Sequence, residues 1–338
     1  MMRLLYLLIG MIFVTSCSNS TDKRSENTKE ISVTDIQGNE IHISKPAERI
    51  VCLFDPSVDV IYMLQAQHRL VGIPAETYFD NELYDYYKHI DSRILNKQLA
   101  TPGSNELANL ESIIQLNPDL VIAQQLPESI VRTLQQMNIP VYIAAAARYD
   151  DLKKEMKDIS LLIGKEERGK QLITYAENKI KELDERTSSK KDSLPKTVYF
   201  TWANGRIFST TGRNSMMNDC LDLAGVENVC PSEIDKPNIN PETLIEWNPD
   251  MIVMWNDSPD LFYNKKELNG ITAIQQKQIH NLIPMFFYNP HTFKSLCAAV
   301  AINNWAYGSE DKDSKEETKE ILLELYGENT GTELIKYL

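Results

Sequence analysis

Histidine is scarce in this sequence, and the five present (His42, His68, His89, His280 and His291) never stand at metal-ligand spacing from one another. There is no His-Glu-x-x-His and no Gly-x-Ser-x-Gly elbow, which removes the zinc proteases and serine hydrolases that carry those motifs. The chain does not read as an enzyme. Cysteine is equally sparse: beyond Cys17 only Cys52, Cys220, Cys230 and Cys297 remain, at spacings that fit no zinc motif. Lys and Arg number 35 against 48 Asp and Glu, a formal charge of -13. That balance excludes nucleic acid as a partner, because phosphate neutralisation needs clustered cations. No apolar run reaches the ~20 residues of a membrane-spanning helix. Neither a resident cofactor nor a metal-ligand set is expected.

What is present starts at the N-terminus. "MMRLLYLLIGMIFVTSCSNS" carries one positive residue, Arg3, then an apolar run from Leu4 to Val14 and small residues around Cys17. This is the layout of an export signal, with Cys17 where a lipoprotein signal is cut and acylated. The alternative is a plain signal peptide with an incidental cysteine. Residues 1–16 are expected as a lipoprotein signal peptide. Residues 17–30, polar and without periodicity, are expected as a flexible tether from a membrane anchor in the cell envelope. Four further cysteines in an exported chain allow a disulfide. Cys220 and Cys297, on helices expected to pack on one sheet, form the expected bridge, with Cys220–Cys230 as the rival and Cys52 a packing thiol in a buried strand.

From residue 31 onward strand and helix signals alternate. "ISVTDIQGNEIHI" alternates around a Gln37-Gly38-Asn39 turn and reads as a hairpin, and "RIVCLF" reads as a buried strand. Helical and strand segments then follow in turn to "PVYIA" and a helix from Asp150. "EERGKQLITYAENKIKELDER" holds a helical period for about six turns, after which the alternation restarts with "KTVYF" and "GRIFS". The fold class is α/β: two doubly wound lobes with parallel sheets, joined by one long connecting helix. The lobes are expected over 31–165 and 191–338, with the helix at 166–190.

One line is written twice. "NLESIIQLNPDLVIA" from Asn109 and "NPETLIEWNPDMIVM" from Asn240 share six of their first fourteen aligned positions. Each reads as a short helix flowing into a strand through Asn-Pro-Asp. The first Asn caps the helix, Glu111 or Glu242 lies in its first turn, and Pro118 or Pro249 forbids continuation. Taken alone, each Glu compensates the helix dipole.

The export signal, "KPAERIVCLF", the two N-x-E…N-P-D lines, the long helix and "STTGRNSMMNDCLDLAGVENV" together resemble the ABC-transporter substrate-binding proteins of the iron-siderophore and vitamin B12 type, over about residues 31 to 330. The resemblance implies a ligand held between the lobes and a dimeric membrane permease as partner, docked through Glu111 and Glu242. By position it implies a cleft formed by Phe54, Asp55, Pro56, Tyr78, Thr101, Pro102 and Gln124 in the first lobe. In the second lobe it implies Trp202, Arg206, Asn256 and the loop "FYNPHTF", with Tyr288 and His291. For Tyr78 and Trp202 core packing is the alternative, and for His291 a surface or capping role. Arg206 is placed in the cleft because a charge is rarely buried unpaired. Gln124 and Asn289-Pro290-His291 depart from the cobalamin binders, so an iron-siderophore-type complex is expected, with a corrinoid or haem as alternatives. An exported interaction lipoprotein without a small ligand is the reading of another class.

Overall fold

The computed structural model describes residues 30–104, 107–189, 196–308 and 314–338. The expected signal peptide, Cys17 and the tether up to residue 29 lie outside them. An antiparallel hairpin, β1 (Ile31–Thr34) with β2 (Glu40–Ile43), opens the fold. Gly38 turns it at φ +86°, a conformation that favours glycine. The next four strands, β3 (Ile50–Cys52), β4 (Leu70–Gly72), β5 (Leu120–Ala123) and β6 (Val141–Ile143), form a parallel sheet of order β4-β3-β5-β6. The last four, β7 (Thr197–Thr201), β8 (Glu227–Asn228), β9 (Met251–Trp255) and β10 (Ile279–Leu282), form a second parallel sheet of order β10-β9-β7-β8. Counted within its own lobe, each sheet has the order 2-1-3-4. The central strands β3, β5 and β9 are apolar throughout, and β7 is apolar between its terminal threonines, because helices cover both faces.

The repeated line explains this equivalence physically. The Asn109 side chain accepts a bond from Ser112 N at 2.9 Å, and Asn240 does the same from Thr243 N at 2.8 Å. Each short helix then ends on a left-handed asparagine, Asn117 at φ 46° and Asn248 at φ 42°, a geometry asparagine tolerates better than most residues. The aspartate closes the unit. Asp119 accepts from Glu48 N at 2.9 Å and Arg49 N at 2.8 Å, and Asp250 accepts from Thr197 N at 3.0 Å. Each carboxylate thus stitches the start of the repeat's strand to the start of the lobe's first strand. Arg49 adds a second clasp by donating to Leu116 O and Asn117 O at the end of the first short helix.

The helix Glu166–Ser188 runs about 35 Å at 1.5 Å per residue. It buries Gly169, Leu172, Ala176 and Leu183 as one stripe and packs on helices of both lobes, Tyr149–Leu162, Met216–Leu223 and Ser295–Tyr307. A Cβ at Gly169 would stand 2.3 Å from Ser160 Oγ, so only glycine allows that approach. The C-terminal helix Ser314–Leu334, broken at Gly327, crosses back to touch Asp55–Met63 and Asn81–Ile90 of the first lobe.

Two expectations are corrected. Cys220 and Cys297 form no disulfide, and neither do Cys220 and Cys230: all four described cysteines are buried free thiols. Helices Met216–Leu223 and Ser295–Tyr307 do pack together, but their cysteines are used as small apolar groups. Burial pushes the Cys297 thiol up to about 12 and raises Cys220 further, which suppresses the thiolate that exchange needs. "GRIFS" is not a strand: it is a turn whose Ser209 makes a single bridge to Asn238. Thr201 and Tyr199 bond its carbonyls instead.

The lobes meet over a buried ion pair. Lys294 Nζ lies 2.9 Å from Asp59 Oδ2, with the two side chains 2% and 1% exposed. That contact is off the hydrogen-bond direction, so it is electrostatic. The Tyr326 hydroxyl donates to Asp59 Oδ1, and the ammonium stands 3.7 Å from the Phe286 ring centre. Lys294→Met leaves Asp59 buried without its cation, and about 3–5 kcal/mol of stability should be lost. Urea unfolding followed by circular dichroism checks this, with Lys170→Met, which breaks an exposed pair with Glu167, expected to shift by under ~1 kcal/mol.

Candidate functional site

In a doubly wound sheet the strand order reverses at a switch point, and ligands bind in the crevice beyond the carboxyl ends of the strands there. With order 2-1-3-4 that point falls between β3 and β5 in the first lobe and between β7 and β9 in the second. The residues just past these strands are Phe54 with Asp55, Gln124, Trp202 and Asn256. All five were expected in the cleft.

Two adjoining cavities occupy this region and share Gln124. The first, about 380 Å³, is walled by Leu53, Phe54 and Asp55 after β3, by Pro74 and Glu76, and by Ser104, Leu107 and Gln125. The second, about 310 Å³, spans the two lobes. Its first-lobe wall is Gln124 with Ala145–Ala147, and its second-lobe wall holds Trp202, Asn214, Ser215, Lys236 and His291. Each falls within the ~300–1,000 Å³ typical of small-molecule sites. Other hollows are lined by the hairpin or by the start of the long helix, away from both switch points.

The second-lobe wall is assembled by backbone pairing. Thr210 N, Gly212 N and Arg213 N donate to the carbonyls of Pro237, Asp235 and Ser232. A Cβ at Gly212 would lie 1.9 Å from Ile234 O, so glycine is what lets the 232–237 loop approach. This loop brings Lys236 Nζ to 4.6 Å from the Trp202 ring centre, a cation–π distance. Trp202 is itself aimed by its Nε1 bond to Thr210 O at 2.8 Å. Ser215 caps the following helix by accepting from Asn218 N at 3.1 Å, and the helix N-terminus opens on the cavity. The His291 imidazole has its pKa lowered by burial first and by Lys236 second, with Asp235 opposing.

The first-lobe wall is acidic. Asp55 is pushed up to about 7, by burial first and then by Asp59, with Lys294 opposing. Glu155 sits behind the Ala145–Ala147 segment, accepting from Ala146 N at 2.8 Å, and burial raises it to about 8.

The remaining expected residues fall elsewhere. Tyr78 leans on the core, its hydroxyl bonded to Leu99 O at 3.3 Å, and Thr101 is exposed beside buried Pro102; neither lines these two cavities. Tyr288 is buried at 6% exposure and likewise lines neither cavity. Arg206 is exposed, with its Nε bonded to Ala203 O, so the cation in the wall is Lys236. Asn256 ties the lobes together: its amide donates to Glu82 Oε2 at 3.3 Å, while Glu82 Oε1 accepts from Phe286 N at 2.9 Å. On the other flank Asp219 accepts from Arg148 Nε at 3.1 Å and Tyr149 N at 2.6 Å. Glu111 and Glu242 are exposed in the first turns of their helices. No sequence signal marked Lys236 as a wall residue. Gly212 was the available clue, as a glycine where two backbones must meet.

Among the described residues no group of three or more His, Cys, Asp or Glu could hold a metal, and no helix is long and apolar enough to cross a membrane. The family model for periplasmic binding proteins matches residues 50–285. The ABC transporter substrate-binding lipoprotein YvrC of Bacillus subtilis is 21% identical over 290 residues, covering 82% of this chain and 88% of that protein. The molybdate-binding protein MolA of Haemophilus influenzae, solved with molybdate, superposes with a TM-score of 0.71 at 21% identity, covering 87% of this chain and 97% of that one. The vitamin B12-binding protein BtuF of Vibrio cholerae superposes at 0.61 with 20% identity, covering 79% and 99%. With the family model spanning both lobes and the same architecture in these neighbours, the chain belongs to the periplasmic binding protein family and is a substrate-binding protein of an ABC transporter.

Proposed function

We propose that this protein captures an iron-siderophore-type complex between its lobes and delivers it to a dimeric membrane permease. The observation that carries this reading is the pairing of the switch points: the carboxyl ends of β3 and β5 and the end of β7 contribute to two adjoining cavities. Trp202 and Phe54 offer aromatic surface there, and Gln124, Lys236 and Asp55 offer polar contacts, the mixture an organic metal complex requires. A corrinoid or haem is the second reading, supported by the likeness to vitamin B12-binding proteins. In this proposal the lobes are 31–165 and 191–338, flanking the connecting segment 166–190. The signal peptide is 1–16, and acylated Cys17 with its tether holds the body at the extracytoplasmic face. The ligand assignment is tested by purifying the protein from its native host without added ligand, then recording an absorbance spectrum and the mass of what it releases. A ferric chelate is expected; a corrinoid or haem spectrum replaces the assignment, and an empty protein that binds none of these overturns it.

Two further outcomes follow from the exposed partners of the repeat and the anchor. Glu111→Ala and Glu242→Ala should each slow uptake in a whole-cell transport assay while leaving ligand affinity intact, with the double change slower still, because exposed rim charges govern association. Their stability cost should be about 0.3–1 kcal/mol from the lost dipole interaction. Full uptake by the double variant returns both residues to a role in the helix dipole. Cys17→Ala should move the protein out of the membrane fraction, and retention there would remove the lipid anchor from the proposal.

A further inference from the structure

Asp55 is placed where a carboxylate is hard to keep. It is the first residue of the helix Asp55–Met63, directly past β3, and lines the first cavity. Its Oδ1 is closed off from solvent yet accepts no hydrogen bond. The nearby cation is already committed, since Lys294 lies 2.9 Å from Asp59, one helical turn further on. Glu76 adds a second, exposed carboxylate to the same wall, and among the described residues no Lys, Arg or His lines that cavity. A carboxylate oxygen closed off from water without a donor costs folding free energy, and Asp55 Oδ1 accepts no hydrogen bond in return; Lys294 opposes the rise in its pKa but is seated on Asp59.

We propose that Asp55, supported by Glu76, is the recognition point for a positively charged hydrogen-bond donor on the ligand, so that the complex this protein carries bears a protonated amine. This rests on the reading of the cleft as the ligand site and adds the charge class of what enters it. The Asp55 carboxyl, raised to about 7 by burial and by the neighbouring charges of Asp59, Asp80 and Glu76 against Lys294, is in keeping with a group whose partner arrives from outside. A bound ammonium supplies the missing counter-charge and the missing donor together. The opposite pole of the cleft is suited to the rest of such a complex: Lys236 and the helix N-terminus at Ser215 lie across Gln124 in the second cavity.

A matched pair of probes tests this. One is a ferric trihydroxamate with a pendant ammonium; the other is the same complex with that amine acetylated, equal in metal centre and lacking the charge. Binding is read by quenching of tryptophan fluorescence, since Trp202 lines the adjoining cavity. The ammonium complex should bind at least tenfold more tightly than the acetylated one. Asp55→Asn should abolish that preference, and Glu76→Gln, an exposed change with little folding risk, should reduce it about twofold. Equal affinities in the wild type, or a preference that survives Asp55→Asn, overturns the proposal. So does failure of both complexes to bind; the molecule released on native purification then judges the binding-protein reading separately.

Discussion

The ion pair between Asp59 and Lys294 is the contact on which the arrangement of the lobes depends. It joins the first helix of one lobe to the segment before the last large helix pair of the other, and Tyr326 brings the C-terminal helix to the same carboxylate. Removing two charges from water is expensive, and apolar replacements often match such a pair in stability. What it supplies is direction: the low-dielectric interior accepts only an arrangement in which the ammonium and carboxylate meet. The flanking ties work in the same sense. Glu82 reaches Asn256 and Phe286 on one side, Asp219 reaches Arg148 and Tyr149 on the other, and Tyr86 stacks on Phe286 at 4.5 Å. With the long helix packed on both lobes, the cleft is held at its back and at both flanks, which leaves little freedom for a wide hinge motion.

Duplication then determines what faces the cleft. The Asn-Pro-Asp clasp fixes the third strand of each lobe beside the first, and that adjacency creates the switch point. Because both lobes repeat it, the same kind of strand end faces the space between them twice. The walls nevertheless differ in charge. The first lobe contributes Asp55 and Glu76, and the second contributes Lys236, His291 and a helix N-terminus beside the single carboxylate of Asp235.

The cysteines show how the interior was built. Four thiols sit buried in an exported type of chain without pairing, and the stability that disulfides often supply to small exported domains comes here from three apolar core clusters and the contacts between lobes. A chain of this length buries enough surface to stand without cross-links.

Much of the fold was legible in the sequence because its signals are local. The hairpin turn at Gly38, the helix caps Asn109 and Asn240, the stops at Pro118 and Pro249 and the apolar strands "LVIA" and "MIVMW" each act within a few residues, so periodicity and turn chemistry sufficed to place them, and the repeat exposed the two-lobed plan. The positions of Phe54, Asp55, Gln124 and Trp202 came from the family resemblance, and they lie at the ends of central strands, where a doubly wound sheet opens. Only the tertiary structure decided the rest. Lys236 rather than Arg206 reaches the wall because the 232–237 loop pairs with residues 210–213; Asn256 serves the lobe contact because Glu82, far away in the chain, arrives beside it; Lys294 is buried because Asp59 waits there. Each depends on atoms that meet across 19 to more than 200 residues of chain, and a sequence pattern carries no record of such meetings, because the energy of a polar side chain is set by the partner it finds rather than by its neighbours along the chain.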